Sequence, residues 1–164
     1  MTSITPFLWF DDQLEEAMDF YVSLFGDSAV VSLNRLPDDT GGSPGKVMVA
    51  TFRIGGQEVM GLNGGPAHRL SPSFSFFVSC DDQAEVDRLW DALCADGGEP
   101  GNCGWLVDRF GLSWQVIPTA LGRLMSDPDP ERAGRVLQAM LGMTKIEVAG
   151  LEAAHDGRAD ELTP

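Results

Sequence analysis

The sequence predicts an α+β fold of two β-α-β-β-β modules whose strands form a half-barrel or paired sheet, followed by C-terminal helices. Three observations carry this. Phe10-Asp11-Asp12-Gln13-Leu14-Glu15 closes one apolar run, and Cys80-Asp81-Asp82-Gln83-Ala84-Glu85 closes another 70 positions later. Each of these strand ends leads through paired acids into a stretch of helical periodicity. After Thr119 the strand signals stop and helical spacing takes over. A repeated unit of this size cannot bury its own sheet, so both copies belong in one domain with the site expected in the cleft they share. The predicted organisation is a single domain over residues 1–164, with modules at 3–66 and 73–120 and a helical extension at 126–157.

Element by element, Ile4 to Phe10 is a continuous apolar run, which reads as a strand covered on both faces, with Pro6 tolerated near its start. Asp11 or Asp12 is placed to cap the next helix, where Leu14, Ala17, Met18, Tyr21, Val22 and Phe25 recur at helical spacing until Gly26. Ala29 to Leu36 reads as a strand, and the Pro, Asp and Gly content of 37–45 as a mobile loop. Lys46 to Ile54 and Gln57 to Leu62 flank Gly55-Gly56, a hairpin signal. A linker over 67–72 precedes the second copy. That copy has a strand at Phe74 to Ser79, a helix carrying Val86, Leu89, Trp90, Leu93 and Cys94, and a short strand within 99–103. Trp105 to Asp108 follows, and the turn Arg109-Phe110-Gly111 leads into Leu112 to Pro118. Ser126-Asp127-Pro128-Asp129-Pro130 caps a helix striped by Ala133, Val136, Leu137, Met140 and Leu141, and 143–154 reads as another helix. Such stripes need a surface to cover, either their own sheet or a partner subunit, and a homodimer is the preferred reading.

The chain of 164 residues carries a net charge of −14, which repels phosphate backbones and anionic headgroups, so neither nucleic acid nor a membrane surface is an expected partner. Several of its acids crowd the tail, Asp160 and Glu161 among them. No apolar run approaches the roughly 18 residues that span a bilayer, and no signal-peptide pattern opens the chain. Cys80, Cys94 and Cys103 are odd in number and lack CxxC spacing, as reduced cytoplasmic thiols do.

Paired β-α-β-β-β units with Phe20-Tyr21 in the first helix and Asp108-Arg109-Phe110-Gly111 before the last strand resemble the vicinal-oxygen-chelate superfamily, which includes glyoxalase I, extradiol dioxygenases and fosfomycin-resistance proteins. More narrowly, the run from Ile4 to Asp11, Leu62-Asn63-Gly64-Gly65-Pro66, the run from Gly98 to Leu106 and Gly111-Leu112-Ser113-Trp114-Gln115 resemble the PhnB-like family. Its members are often labelled 3-demethylubiquinone-9 3-methyltransferase. The superfamily resemblance implies four metal-ligand positions, His or Gln and Glu in the metalloenzymes, which fall here at about Pro6, about Met60, Ser75 or Phe76, and Gln115. Only Gln115 is a plausible ligand, and one neutral amide cannot hold a divalent ion against water. His68 and His155 lie outside every candidate strand. No metal and no cofactor is therefore expected. S-adenosylmethionine is not favoured either, since no glycine pair forms a GxGxxG turn between a strand and a helix.

The candidate site residues are few. Cys103, between Gly101-Asn102 and Gly104, is a candidate nucleophile without a neighbouring histidine, and Asp108 a candidate acid or base that turn chemistry explains equally well. Trp9 and Trp105 are the expected aromatic pocket walls, with Asn63 and Gln115 as uncharged polar handles. The reading that follows is a metal-free small-molecule binding cleft. The alternatives are an enzyme acting on a small aromatic or quinone-like substrate, for which the methyltransferase label stands, and a metal-dependent glyoxalase- or dioxygenase-type enzyme.

Overall fold

The computed structural model describes residues 2–36 and 45–158, and the chain divides into two compact units, Met1–Ser71 and Pro72–Pro164. The loop expected at 37–45 lies, apart from Gly45, outside the described residues, as do Asp160 and Glu161 of the acidic tail.

The first unit runs β1 (Phe7–Phe10), α1 (Leu14–Leu24), β2 (Ala29–Arg35), β3 (Val47–Ile54) and β4 (Gln57–Asn63). Its four strands lie in the order β1-β4-β3-β2, with β1 parallel to β4 and the other pairs antiparallel. The hairpin at Gly55-Gly56 forms as expected: both residues have positive φ, 54° and 81°, the geometry a two-residue turn between twisted strands requires. Leu8, Phe10, Ala50, Phe52, Ile54 and Val59 are buried, and α1 contributes Leu14, Ala17, Met18 and Tyr21 to the same core. The expectation that the first strand is covered on both faces fails, because Phe7 is 51% exposed. β1 is an edge strand, and the apolar run conceals a period-2 pattern in which only Leu8 and Phe10 are buried.

The second unit repeats the plan with β5 (Ser75–Cys80), α2 (Gln83–Cys94), β6 (Glu99–Pro100), β7 (Trp105–Val107) and β8 (Ser113–Pro118). Strand order is β5-β8-β7-β6, with β5 parallel to β8, so both copies share one topology. Their helix caps differ. Asp82 Oδ1 accepts the Glu85 N–H at 2.9 Å while Glu85 Oε2 accepts the Asp81 N–H at 2.9 Å, a reciprocal capping arrangement. In the first copy neither Asp11 nor Asp12 caps α1. The helix starts after Gln13, whose side chain makes no cap bond, and Asn63 Oδ1 from the end of β4 accepts the Leu14 N–H at 2.9 Å instead.

Three helices follow, α3 (Thr119–Met125), α4 (Pro130–Leu141) and α5 (Val148–His155). The helical extension therefore begins directly at the end of β8, earlier than the 126 expected. Asp129 caps α4 through the Glu131 N–H at 2.9 Å, with Pro130 in the first turn. Of the anticipated α4 stripe Val136 is fully buried, while Leu137 and Leu141 are 36% and 55% exposed. The predicted helix over 143–154 forms only from Val148. The stretch before it is irregular, with a bend at Thr144 and Lys145, and the Met143 and Thr144 carbonyls accept the N–H groups of Cys103 and Gly104, each at 2.8 Å. Ile117, Leu121, Leu124, Val136, Ile146 and Leu151 form the core beneath these helices. Gln83 of α2 fastens α5: its Oε1 accepts the Val148 N–H at 2.8 Å and its Nε2 donates to the Ile146 carbonyl at 3.1 Å.

His155 ends α5 between two carboxylates, with Nε2 2.8 Å from Asp127 Oδ2 and Nδ1 3.1 Å from Asp156 Oδ1. Only the imidazolium can donate to both. Asp127 chiefly, then Asp156, therefore raises the His155 pKa above 6.5, while Asp127 is held below 3.8 chiefly by the Asp129 N–H and then by His155, and Asp156 chiefly by Arg158 and then by His155. A raised histidine contributes stability that is complete below its unfolded value and lost as pH rises through the folded one. The lowered carboxylates contribute above 3.8 and lose it as pH falls through their folded values. The thermal midpoint of the wild type should thus decline as pH rises through the range above 6.5, and His155→Gln should flatten that decline. Parallel slopes for the two proteins in a pH series of melts would refute the assignment.

Candidate functional site

The register of the second sheet sorts its residues between two faces. Trp114 and Val116 of β8 pair with Phe76 and Val78 of β5, and these four point to the side of α2, whose Val86, Leu89 and Leu93 are buried with Trp114 and Val116. The other face carries Gln115 with Phe77 of β5 and Trp105 of β7 directly across from it, and Ile117 opposite Ser79. Above this face lies a cleft of about 490 Å³. Thr119, Leu121, Gly122 and Met125 of α3 form one wall, with Met140 of α4 and Cys103 of the β6–β7 loop also lining it. Among the described residues none that lines it bears a charge.

Three of the six residues singled out from sequence meet here: Cys103, Trp105 and Gln115. Gln115 Nε2 donates to Ser75 Oγ at 2.9 Å. Cys103 holds a left-handed φ of 56°, uncommon for a residue with a side chain, and Gly104 follows at 81°. That double turn is stitched on both sides: Cys103 and Gly104 donate to the Met143–Thr144 segment, and the Gly104 carbonyl accepts the Val116 N–H at 2.8 Å. Cys80, by contrast, is buried, and burial pushes its thiol up to about 12, which makes it inert.

The other three lie elsewhere. Asp108 is 3% exposed in the β7–β8 turn, where Oδ1 accepts the Phe110 and Leu112 N–H groups at 2.9 and 3.0 Å and Oδ2 accepts the Trp114 indole N–H at 2.9 Å. Asn63 and Trp9 belong to the first unit. The Asn63 amide is committed at both ends, to the Leu14 N–H and, through Nδ2, to the Val47 carbonyl at 2.8 Å. It borders a smaller pocket of about 320 Å³ beside Asp11, Asp12 and Lys46. Trp9 donates to the Gly65 carbonyl at 2.8 Å and meets His68 edge-on at 4.7 Å. Sequence reasoning missed Phe77, Ile117 and the helical wall. Strand alternation outward from Gln115 could have supplied Ile117; within the helical region expected after Thr119, no periodic stripe marked α3 as an element of its own.

The positions at which the superfamily resemblance would place a metal are also defined. Met60 donates its N–H to the Pro6 carbonyl at 2.9 Å, so the first pair are neighbours, and neither side chain can bind a hard cation. Ser75 shares the face of Gln115, whereas Phe76 packs on Trp114 with centroids 5.3 Å apart, so Ser75 is the third position. Its hydroxyl accepts one hydrogen bond from the Gln115 amide. Among the described residues no three His, Cys, Asp or Glu side chains converge. This donor set does not fit a divalent ion.

The profile of a family described as 3-demethylubiquinone-9 3-methyltransferase matches residues 2–117, and the PhnB protein of Bacillus cereus is 35% identical, covering 72% of this chain and 100% of its own at a TM-score of 0.66. The chain belongs to this PhnB-like family. Protein PA1353 from Pseudomonas aeruginosa is 24% identical over 72% of the PhnB-like chain and 98% of its own, with a TM-score of 0.59. The fosfomycin resistance protein FosX of Listeria monocytogenes, 13% identical over 72% and 93% at a TM-score of 0.50, shares the vicinal-oxygen-chelate fold alone. No curated protein matches the PhnB-like chain. The family match ends before α3, so the helical wall of the cleft lies beyond the matched residues. Among the described residues no helix is long and apolar enough to cross a membrane.

Proposed function

We propose that the PhnB-like chain is a metal-free binding protein for a small uncharged organic molecule, taken into the cleft of the second unit. The observation that carries this is an uncharged lining around about 490 Å³, the size and character of a small-molecule site. Trp105 and Phe77 offer ring surface, Met125 and Met140 adaptable apolar surface, and Gln115 a polar anchor without charge. Methyl transfer has less support: the turns from β1 into α1 and from β5 into α2 carry Asp11-Asp12 and Asp81-Asp82 where a nucleotide-binding turn needs glycine. Exposed Leu137 and Leu141 and the three free cysteines fit a homodimer in the cytoplasm. Native mass spectrometry tests binding and assembly together. A dimer retaining an organic adduct that Trp105→Ala strips is expected; an adduct unaffected by that substitution, or a bound divalent ion, would overturn the reading.

One observation favours an enzyme instead. Cys103 sits in the lining with a backbone conformation of the kind that gathers at reacting centres. On that reading Cys103→Ala abolishes turnover of a quinone-like substrate, whereas under binding alone it leaves affinity within a few fold.

A further inference from the structure

We infer that Ser113 is a ligand-binding residue, which receives the neutral oxygen substituent of an aromatic guest at the inner end of the cleft. This inference rests on the binding reading above and specifies its ligand class. Among the described residues the Ser113 hydroxyl is the one buried side-chain polar group without a hydrogen bond, and Ser113 is 1% exposed. Leaving such a group unpaired costs folding free energy, so alanine would serve the fold better at this position. On the cleft face the strands place Ser75, Ser113 and Val107 in one row, Phe77, Gln115 and Trp105 in the next, and Ser79 with Ile117 in a third. From the second row Phe77, Gln115 and Trp105 line the cleft, and from the third Ser79 and Ile117. The first row lies one step behind them, about 7 Å along the strands. The Gln115 amide spans the step, donating from Nε2 to Ser75 Oγ at 2.9 Å. A guest whose oxygen replaces that amide on Ser75 also reaches Ser113, and so gives the orphaned hydroxyl its partner. Serine hydroxyls both donate and accept, so phenols and aryl ketones qualify alike over the matching hydrocarbons. The uncharged lining offers nothing to an anion.

Isothermal titration of the full chain with two matched pairs tests this: 2-naphthol with 2-methylnaphthalene, and 2-acetylnaphthalene with 2-isopropylnaphthalene. Each pair shares a shape and differs in its oxygen. Ser113→Ala should lower the affinity for both oxygenated guests about fivefold, the worth of one net hydrogen bond, and leave both hydrocarbons within about twofold. The same substitution should raise the thermal midpoint of the unliganded protein by about 2 to 4 °C, because the orphaned group is gone. Loss of folding would produce neither result. Unchanged affinity for the oxygenated guests, an equal loss for the hydrocarbons, or a midpoint that falls, as removal of a partner such as a buried water would give, overturns the role of Ser113 and leaves the cleft standing. Failure of all four to bind the wild type overturns both.

Discussion

Asp108→Asn should cost the chain about 3 kcal/mol of folding stability, a loss of roughly 6 to 12 °C in thermal midpoint for a protein of this length. The carboxylate is a buried acceptor with no donor capacity, and two backbone N–H groups and the Trp114 indole converge on it. Asparagine keeps one acceptor oxygen and turns an NH₂ toward either the turn or the indole. At least one buried donor then faces another donor and loses its partner, which is the expensive form of a broken hydrogen bond. Urea unfolding checks this. A loss below about 1 kcal/mol would mean the turn does not depend on the carboxylate and would restore Asp108 as a residue retained for its reactivity.

Gly104→Ala should be nearly as damaging and should also empty the cleft. At φ 81° an added Cβ would stand 2.6 Å from Ile117 Cδ1 and 2.9 Å from the Val116 carbonyl oxygen. Ile117 can shift, but the carbonyl belongs to β8 and receives no such freedom. Left-handed strain and overpacking each cost on the order of 1–3 kcal/mol, so about 3 kcal/mol is expected in total. The residues displaced first are Cys103, Trp105 and Ile117, all of which line the cleft. Ligand affinity should therefore fall at least about tenfold in whatever fraction stays folded, as near-neighbour misplacement at a packed site does. Unfolding curves and a ligand titration on the same preparation decide it; retained affinity beside lost stability would separate the Cys103–Gly104 turn from the site.

How much of this was legible depends on the range of the interactions. The duplication showed because its signals are local: an acidic pair after an apolar run, and a Gly-Gly turn between two strands. Asp129 and Pro130 marked α4 for the same reason. α3 escaped because it is seven residues long, follows Pro118 without a break and carries Gly122 at its centre, too little length for periodicity to register. The continuous run from Ile4 to Phe10 misled because an edge strand can carry exposed aromatics such as Phe7. Trp105, Gln115 and Cys103 were identifiable as candidates from type and neighbourhood, but their gathering with Met125 and Met140 depends on strand pairing and on helices whose placement no local pattern encodes. The Asp108 turn was readable as far as its backbone bonds; its bond to the Trp114 indole requires the strand return.

The two copies differ in when their helices can be completed. α2 carries Asp82 and Glu85 within its own first turn, whereas α1 depends on Asn63, 49 residues further along. An isolated helix of 11 residues is marginal in water. On the ribosome the leading amide of the N-terminal helix stays open to water until the last strand of its module has been synthesised and returned, while the later helix carries its own cap as it emerges. The half of the chain made first is thus the half whose helix cap is completed by a long-range closure.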